Sequence, residues 1–458
     1  MTVAEILGRF VADFDPARLS PSAASMVRRA MLDLLGAAAA GAETTAARAA
    51  REVATETYAP GPARIWFTGH RTVVTGAAFA NAAAASALDL DDGSRAAGGH
   101  PGAAIIPAVL AGADASAVDA ARILSATVIG YEVAIRVAAA RDFARLDTLS
   151  SGRWCGIGVA AALAHLWQSS AAEAAQAMCI AGVVAPGLSA AGYSRQMGNS
   201  VKEGIAWAAA EGAQAVALAR RGYSGPLDIF DHPDYYDRAA IARDLPAEGA
   251  GSAIESIYFK PYGCCRWIHA AIDATIALRR EPDCTADAIE VIEIETFSRA
   301  LRLGNAVAPA NLEDVQYSVP FCVAAAMIDG AECLLPARAA LVERSDIVAL
   351  ARRVRLTASD AYDRTFPAHV PARVRIRTPN HVYEREVRVP WGDPSNPMDL
   401  PALRGKFATL AAAVPAPQRA DLADAVLSLG ATSADALLSA IDAAFVQPIS
   451  AARGPTNG

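Results

Sequence analysis

The sequence predicts a mainly α fold: a large helical-bundle domain formed by both chain ends, with a smaller α+β lid domain inserted between them. Three observations carry that prediction. About a quarter of the 458 residues are alanine, the strongest helix former. From residue 1 to about 255, apolar residues recur at helical spacing. Between about 260 and 395 the texture turns to alternating, strand-like segments, and helical spacing then returns. The expected boundaries are 1–257 with 396–458 for the bundle, and 258–395 for the lid.

The elements follow in order. Ser20-Pro21 opens a helix through Leu35, with serine as cap, proline in the first turn and Gly36 near the end. Alanine-rich helices are expected around 75–90, 117–139, 155–167, 171–183 and 201–221, and their small side chains let backbones approach closely. Ala288 to Glu295 (AIEVIEIE) reads as a strand. Arg373 to Arg377 (RVRIR) and Val382 to Val389 (VYEREVRV) read as a hairpin through Thr378-Pro379-Asn380-His381, with arginines and glutamates facing water. Helical segments are expected near 265–280, 319–329 and 336–353. Gly392 to Pro397 reads as a linker back to helices that run to residue 450, before a frayed tail from Arg453 to Gly458.

Composition narrows the function. A net charge of -7 argues against a nucleic-acid partner, whose footprint is basic. Hydrophobic residues make up 53%, which supports a large core, yet no apolar stretch reaches the roughly 18 residues of a membrane span. Glu5 and Asp13 stand where a signal peptide would be basic and then apolar, so the expected location is cytoplasmic. Seven scattered cysteines show no metal-ligand spacing, which predicts reduced thiols and no zinc site. Gly156-Ile157-Gly158 mimics a dinucleotide-binding turn, but no strand precedes it, and a helix-packing glycine pair is the expected reading. Lysine is scarce: of 41 basic residues only Lys202, Lys260 and Lys406 are lysines.

Four segments have the residue types for chemistry. Leu88 to Gly102 places Asp89, Asp91 and Asp92 at the end of an apolar helix, then Ser94, glycines and His100-Pro101-Gly102. Asp89 is spaced to share the helix face of Ala82 and Ala85, which would tuck it inward, where it needs a partner. His100, on a glycine-rich loop that opens the helix from Ile105 to Leu110, is a candidate acid/base. The second segment, Gly192-Tyr193-Ser194-Arg195 to Gly204, sets Lys202 at the start of an apolar helix, where a cation opposes the dipole unless an anion is near. The third, Tyr258 to His269, gathers Lys260, Arg266, His269, Cys264 and Cys265, and lysine with arginine suits carboxylates. The fourth, Val315 to Cys322, says little alone.

Taken in order, these segments resemble the MmgE/PrpD family. The likeness begins at Asp33-Leu34-Leu35-Gly36 and includes the Asp-rich loop with His100-Pro101-Gly102, then Gly130-Tyr131-Glu132-Val133. It continues through Lys202 with Gly222-Tyr223-Ser224-Gly225-Pro226, Lys260-Pro261-Tyr262 with Cys264-Cys265-Arg266, and Tyr317-Ser318-Val319-Pro320, and ends at Gly405-Lys406-Phe407. The family includes 2-methylcitrate dehydratase, cis-aconitate decarboxylase and iminodisuccinate epimerase. The resemblance implies a helical domain with an α+β lid, a homodimer, and a site between domains that uses neither metal nor organic cofactor. It places Asp89, His100, Lys202 and Lys260 in a polycarboxylate pocket as catalytic residues. Arg266, His269, Asp92 and Ser94 lie beside them as substrate contacts. The chain departs from the decarboxylase-like pattern at Gly93, where a threonine is expected, near Leu149, where a histidine is expected, and at Phe321, where a tyrosine is expected.

The expected activity is that of a cofactor-independent lyase of the hydro-lyase type. It would act on a di- or tricarboxylate by removing a proton next to a carboxylate. An epimerase of a substituted dicarboxylate such as iminodisuccinate shares the first half of that reaction. A family member that binds a carboxylate without turning it over is the third reading.

Overall fold

In the computed structural model, residues 1–146, 148–186, 198–246 and 251–445 are described, and about 55% of the chain is helical with small sheets. The chain opens with α1 (Val3–Asp13), α2 (Pro21–Gly41) and α3 (Thr45–Thr57), then a ribbon of β1 (Ala63–Arg64) and β2 (Arg71–Thr72). Next come α4 (Val74–Ser86), α5 (Gly102–Asp114), α6 (Ala120–Ala139), α7 (Gly152–Leu166), α8 (Ala171–Val184), α9 (Ile205–Ala219) and the short α10 (Arg238–Ala242). Ser20 caps α2, accepting from the Ala23 N–H at 3.2 Å, and the alanines after Gly36 carry that helix on to Gly41. Helix α5 is buried at every position from Gly102 to Ala113, which is why its sequence is apolar all round.

Gly156 and Gly158 serve packing, as expected. A Cβ on Gly158 would lie 2.5 Å from the Ala134 Cβ and from the Gly130 carbonyl oxygen, so α6 and α7 touch backbone to backbone. The ribbon of β1 and β2 was not legible in the sequence, since two-residue strands carry no period.

A second body follows: α11 (His269–Leu278), β3 (Val291–Thr296), α12 (Leu312–Gln316), α13 (Val319–Asp329), α14 (Ser345–Ala351), β4 (Val354–Ala358), α15 (Asp360–Asp363), β5 (Ala372–Arg377) and β6 (Val382–Val387). The sheet order is β4-β3-β5-β6, with β3 and β4 parallel and the other pairs antiparallel. The hairpin forms as expected: Arg377 stands opposite Val382, and the Thr378 N–H donates to the His381 carbonyl at 2.9 Å. Ile292, Ile294, Val374 and Ile376 turn inward onto α11 and α13. The expected helix over 336–353 is only α14, and the parallel strand β4 follows it, its short period-2 pattern half-buried at Val354 and Leu356.

Finally α16 (Leu400–Leu410), α17 (Ala416–Leu427) and α18 (Ala434–Ala443) return. Leu403 and Phe407 of α16 and Leu422 of α17 join the same apolar cluster as α2. One core therefore draws on residues from Val3 to Phe259 and again from Met398 to Ala444, and the other on Tyr262 to Ile376. Lys260 is buried at the seam, between Phe259 of the first core and Tyr262 of the second. No helix among the described residues is long and apolar enough to cross a membrane. The expected frayed tail and the segment Gly192 to Arg195 lie outside the described residues.

Candidate active site

Asp89 is the centre, and it reaches inward by a different route from the one expected. Helix α4 stops at Ser86, and Asp89 takes a left-handed backbone (φ 55°), its N–H donating to the Ser86 carbonyl at 3.2 Å. It is therefore a turn and not a helix face that buries it; aspartate tolerates that conformation better than most residues. The loop is tied to the next functional segment by two backbone bonds between Gly93 and Tyr258, at 3.0 and 2.8 Å. That pairing sets Lys260, two residues on, against the carboxylate.

All three lysines of the chain converge here. Lys260 lies 3.1 Å from Asp89 Oδ2 and donates to the Asp89 carbonyl at 3.2 Å. Lys202 lies 3.4 Å from Asp89 Oδ1 and donates to Gln316 Oε1 at 2.6 Å, with its Nζ 5.2 Å from the Tyr317 ring centre. Gln316 is itself fixed by donating to the Ala87 carbonyl at 3.0 Å. Lys406, on α16, holds the loop from behind, donating to Asp33 at 2.6 Å and to the Leu90 carbonyl at 2.7 Å. Lys202 does not sit in the first turn of α9. It occupies a left-handed turn with Glu203 and Gly204 (φ 45°, 61° and 74°) just before it, so the counter-ion it needs is Asp89 and not a helix end.

His100 faces the same carboxylate. Its Nε2 is 3.8 Å from Asp89 Oδ1, and its Nδ1 is 3.1 Å from Asp91 Oδ2, though the ring N–H is not aimed along that line. Its backbone is pinned on both sides: the N–H donates to Ser151 Oγ at 2.9 Å, and the Cys155 thiol donates to its carbonyl at 3.2 Å. The glycines beside it are required by space. A Cβ on Gly99 would lie 2.3 Å from Ser151 Oγ, and one on Gly102 would lie 2.1 Å from Asp92 Oδ1.

The electrostatics set the protonation states. Burial alone would raise the Asp89 pKa, but Lys202 and Lys260, with His100 behind them, hold it well below the usual carboxylate range. Asp91 is also lowered, burial being outweighed by His100. Burial and Lys260 work against the His100 imidazolium, yet Asp91 and Glu203 outweigh them, so the ring holds its proton above the ordinary histidine value. Burial likewise opposes the Lys260 ammonium, and Asp89 and Asp91 overcome it. Burial, with Asp91 adding to it, pushes the Asp92 carboxyl up to about 7.

The remaining expected contacts sort differently. Asp92 accepts from the Tyr131 hydroxyl at 2.8 Å, while its Oδ1 has no hydrogen-bond partner. Ser94 is spent on its own turn, its Oγ accepting from the Ala97 N–H at 3.3 Å. Arg266 and His269 have most of their polar atoms engaged within the protein, and of these only Arg266 Nε lacks a hydrogen bond. Arg266 donates to the Trp391 and Pro390 carbonyls at 2.8 and 3.0 Å and to His269 Nδ1 at 3.1 Å, and its guanidinium stacks 4.8 Å from Tyr258. His269 Nε2 donates to the Cys264 carbonyl at 3.0 Å, so both ring nitrogens are used. Burial, then Arg266 and Lys260, hold the His269 pKa far below the usual value, and the ring is neutral. Both residues brace the chain around Lys260.

Asp91, Gln316, Ser151 and Lys406 are the site's residues that local sequence reading did not assign. Two of them carried a signal, Lys406 as one of three lysines among arginines and Asp91 as one of three acids in the Asp-rich loop. Asp89, Asp91 and His100 each offer one ligand atom, all within 4.8 Å of one another. A divalent cation there would lie against the ammonium groups that already face both Asp89 oxygens, which disfavours it.

The chain matches the MmgE/PrpD N-terminal domain over residues 5–245 and the MmgE/PrpD C-terminal domain over residues 262–429, and it belongs to the MmgE/PrpD family. It is 27% identical over 409 residues to a cis-aconitate decarboxylase of Aspergillus terreus (strain NIH 2624 / FGSC A1156), covering 81% of each chain. A second cis-aconitate decarboxylase from Aspergillus terreus is 26% identical over 409 residues, again covering 81% of each. At the three departures noted above, nothing polar is offered. A side chain at Gly93 would meet the Tyr258 ring at 2.3 Å, Leu149 packs beside Gly98, and Phe321 is fully buried.

Proposed function

We propose that this protein is a lyase of the hydro-lyase type, acting on a di- or tricarboxylate by proton removal next to a carboxylate, with no organic cofactor. The observation that carries the reading is the convergence of Lys202, Lys260 and His100 on the one carboxylate of Asp89. The ammoniums of Lys202 and Lys260 face a single protein carboxylate, so a substrate carboxylate arriving there would find two charge-assisted donors.

In this mechanism Lys202 and Lys260 hold the substrate carboxylate and stabilise the enediolate-like charge that develops. His100 Nε2, in its neutral form, takes the α-proton, and the Asp91 carboxylate beside Nδ1 stabilises the imidazolium that forms. The carbanion's electron pair forms the C=C bond as the β C–O bond breaks. The imidazolium returns its proton to the departing hydroxyl, which leaves as water. Asp89, strongly acidic and tied to two ammoniums, orients these groups and is a poor base.

Incubation with a panel of di- and tricarboxylates in deuterated water tests the reading. A new ultraviolet absorbance from an unsaturated acid is the expected result. Exchange and racemisation without an alkene would replace the lyase with an epimerase. Thermal stabilisation by an acid that undergoes neither reaction would leave a binding protein.

A further inference from the structure

Glu203 lies outside the ring of groups around Asp89, yet it is linked through Ser151 to the loop that carries His100. Its Oε2 accepts from the Ser151 N–H at 2.9 Å and from the Ser151 hydroxyl at 2.7 Å. That hydroxyl in turn accepts from the His100 backbone N–H at 2.9 Å. Ser151 stands at the N-cap of α7 but makes no side-chain cap bond to its own helix. A serine at that position normally caps; here the hydroxyl is diverted to bridge two loops. Space is reserved for the bridge on both sides, since a Cβ on Gly152 would lie 2.5 Å from the Glu203 carbonyl oxygen and one on Gly99 would lie 2.3 Å from Ser151 Oγ.

The other end of the bridge is the left-handed turn of Lys202, Glu203 and Gly204. Two successive non-glycine residues in that region are costly, and such strain persists only where the surroundings fix it. The Glu203 carboxylate, bonded twice to Ser151, supplies that fixing and so aims Lys202 at Asp89.

We propose that Glu203 is a positioning residue which, through Ser151, locks the His100 loop to the Lys202 turn and brings its negative charge to bear on the imidazole. The proposal rests on the mechanism above for its kinetic consequence, but not for its effect on the imidazole. The groups that act on His100 are Asp89, Asp91 and Asp92 of its own loop, Lys260 from the seam, Cys155 on α7, and Glu203 before α9, while Lys202 shares Asp89 Oδ1 with it. Of these, Asp91 and Glu203 both favour the imidazolium, against burial and Lys260.

The test is the titration of His100, read by NMR in the full-length protein and assigned by its loss in His100→Asn. Glu203→Gln keeps the shape and a hydrogen-bond acceptor but removes the charge. It is expected to lower the His100 midpoint by about one pH unit, and Glu203→Asp is expected to recover part of the shift. With a turned-over carboxylate, the acid limb of kcat/KM in Glu203→Gln moves down in parallel. Ser151→Ala loses about a hundredfold in kcat with KM little changed, as a displaced catalytic group would. An unchanged His100 titration in a folded Glu203→Gln variant overturns the proposal. A shifted titration in a protein that turns over no carboxylate upholds it and removes only the lyase reading.

Discussion

Two buried charge clusters flank the seam, and they differ in what is left over. Around Arg266, the guanidinium, His269 and Asp393 are held together by backbone carbonyls of Pro390 and Trp391 and by the Ser395 N–H and hydroxyl. Arg95 reaches over from the Asp-rich loop to pair with the fully buried Asp393. Around Asp89, two ammoniums share one carboxylate, His100 Nδ1 and both Asp91 oxygens lack an aligned hydrogen bond, and Asp92 Oδ1 has no partner. Both clusters contain Arg or Lys, His and Asp, so residue type does not separate them. The degree of saturation does. Around Arg266 only Nε lacks a hydrogen bond, whereas around Asp89 the orphans gather on the Asp91, Asp92 and His100 side chains while two ammoniums face one carboxylate, so the second cluster is the one prepared for an anion that arrives later.

The largest expected effect is at His100. His100→Ala should lower kcat about a thousandfold, measured by alkene formation, while a carboxylate still raises the melting temperature. Near-normal turnover in that variant would break the distinction between the clusters.

A paired comparison comes next. Lys260→Met leaves a buried carboxylate short of a partner, and Arg266→Met leaves carbonyls and Asp393 short, so each should cost about 3–5 kcal/mol in urea unfolding. The two should part on ligand. The carboxylate-induced thermal shift is expected to vanish in Lys260→Met and to survive in Arg266→Met. Loss in both would place Arg266 back among the substrate contacts.

The pH dependence of kcat/KM sharpens the same contrast. Because the His100 pKa is raised in the folded protein, activity should climb with pH through a midpoint above the ordinary histidine value, as the neutral base appears. The smallest effect concerns Asp92, whose carboxyl is pushed up to about 7. The native state binds that proton more tightly than the unfolded chain, so its ionisation costs stability as pH rises from the usual carboxylate range through about 7. Asp92→Asn should therefore gain on the order of 1–3 kcal/mol over wild type at pH 8, and less at pH 5, in urea titrations at both values.

Much of this was legible in the sequence where a signal is local. Ser20-Pro21, the alanine helices and the hairpin through Thr378 and His381 declare themselves within a few residues. Lysine scarcity pointed to Lys202, Lys260 and Lys406, and all three touch the Asp89-Leu90 stretch. The rest depends on partners distant in the chain. Arg266 reads as a carboxylate ligand in the sequence, and only the fold shows the carbonyls of Pro390 and Trp391 taking bonds from its two terminal nitrogens. Gln316 looks idle until the fold brings Lys202 within 2.6 Å. The left-handed turns at Asp89 and Lys202 break no residue pattern, so the periodicity that located the helices extended them too far at α4 and too early at α9.

The most direct test is a crystal structure with a turned-over di- or tricarboxylate bound at low pH or to His100→Asn. One substrate carboxylate is predicted to bridge the Nζ atoms of Lys202 and Lys260, with its α-carbon about 3–3.5 Å from the position of His100 Nε2. An acid found instead against Arg266 and His269, with the three groups around Asp89 undisturbed, would contradict the account.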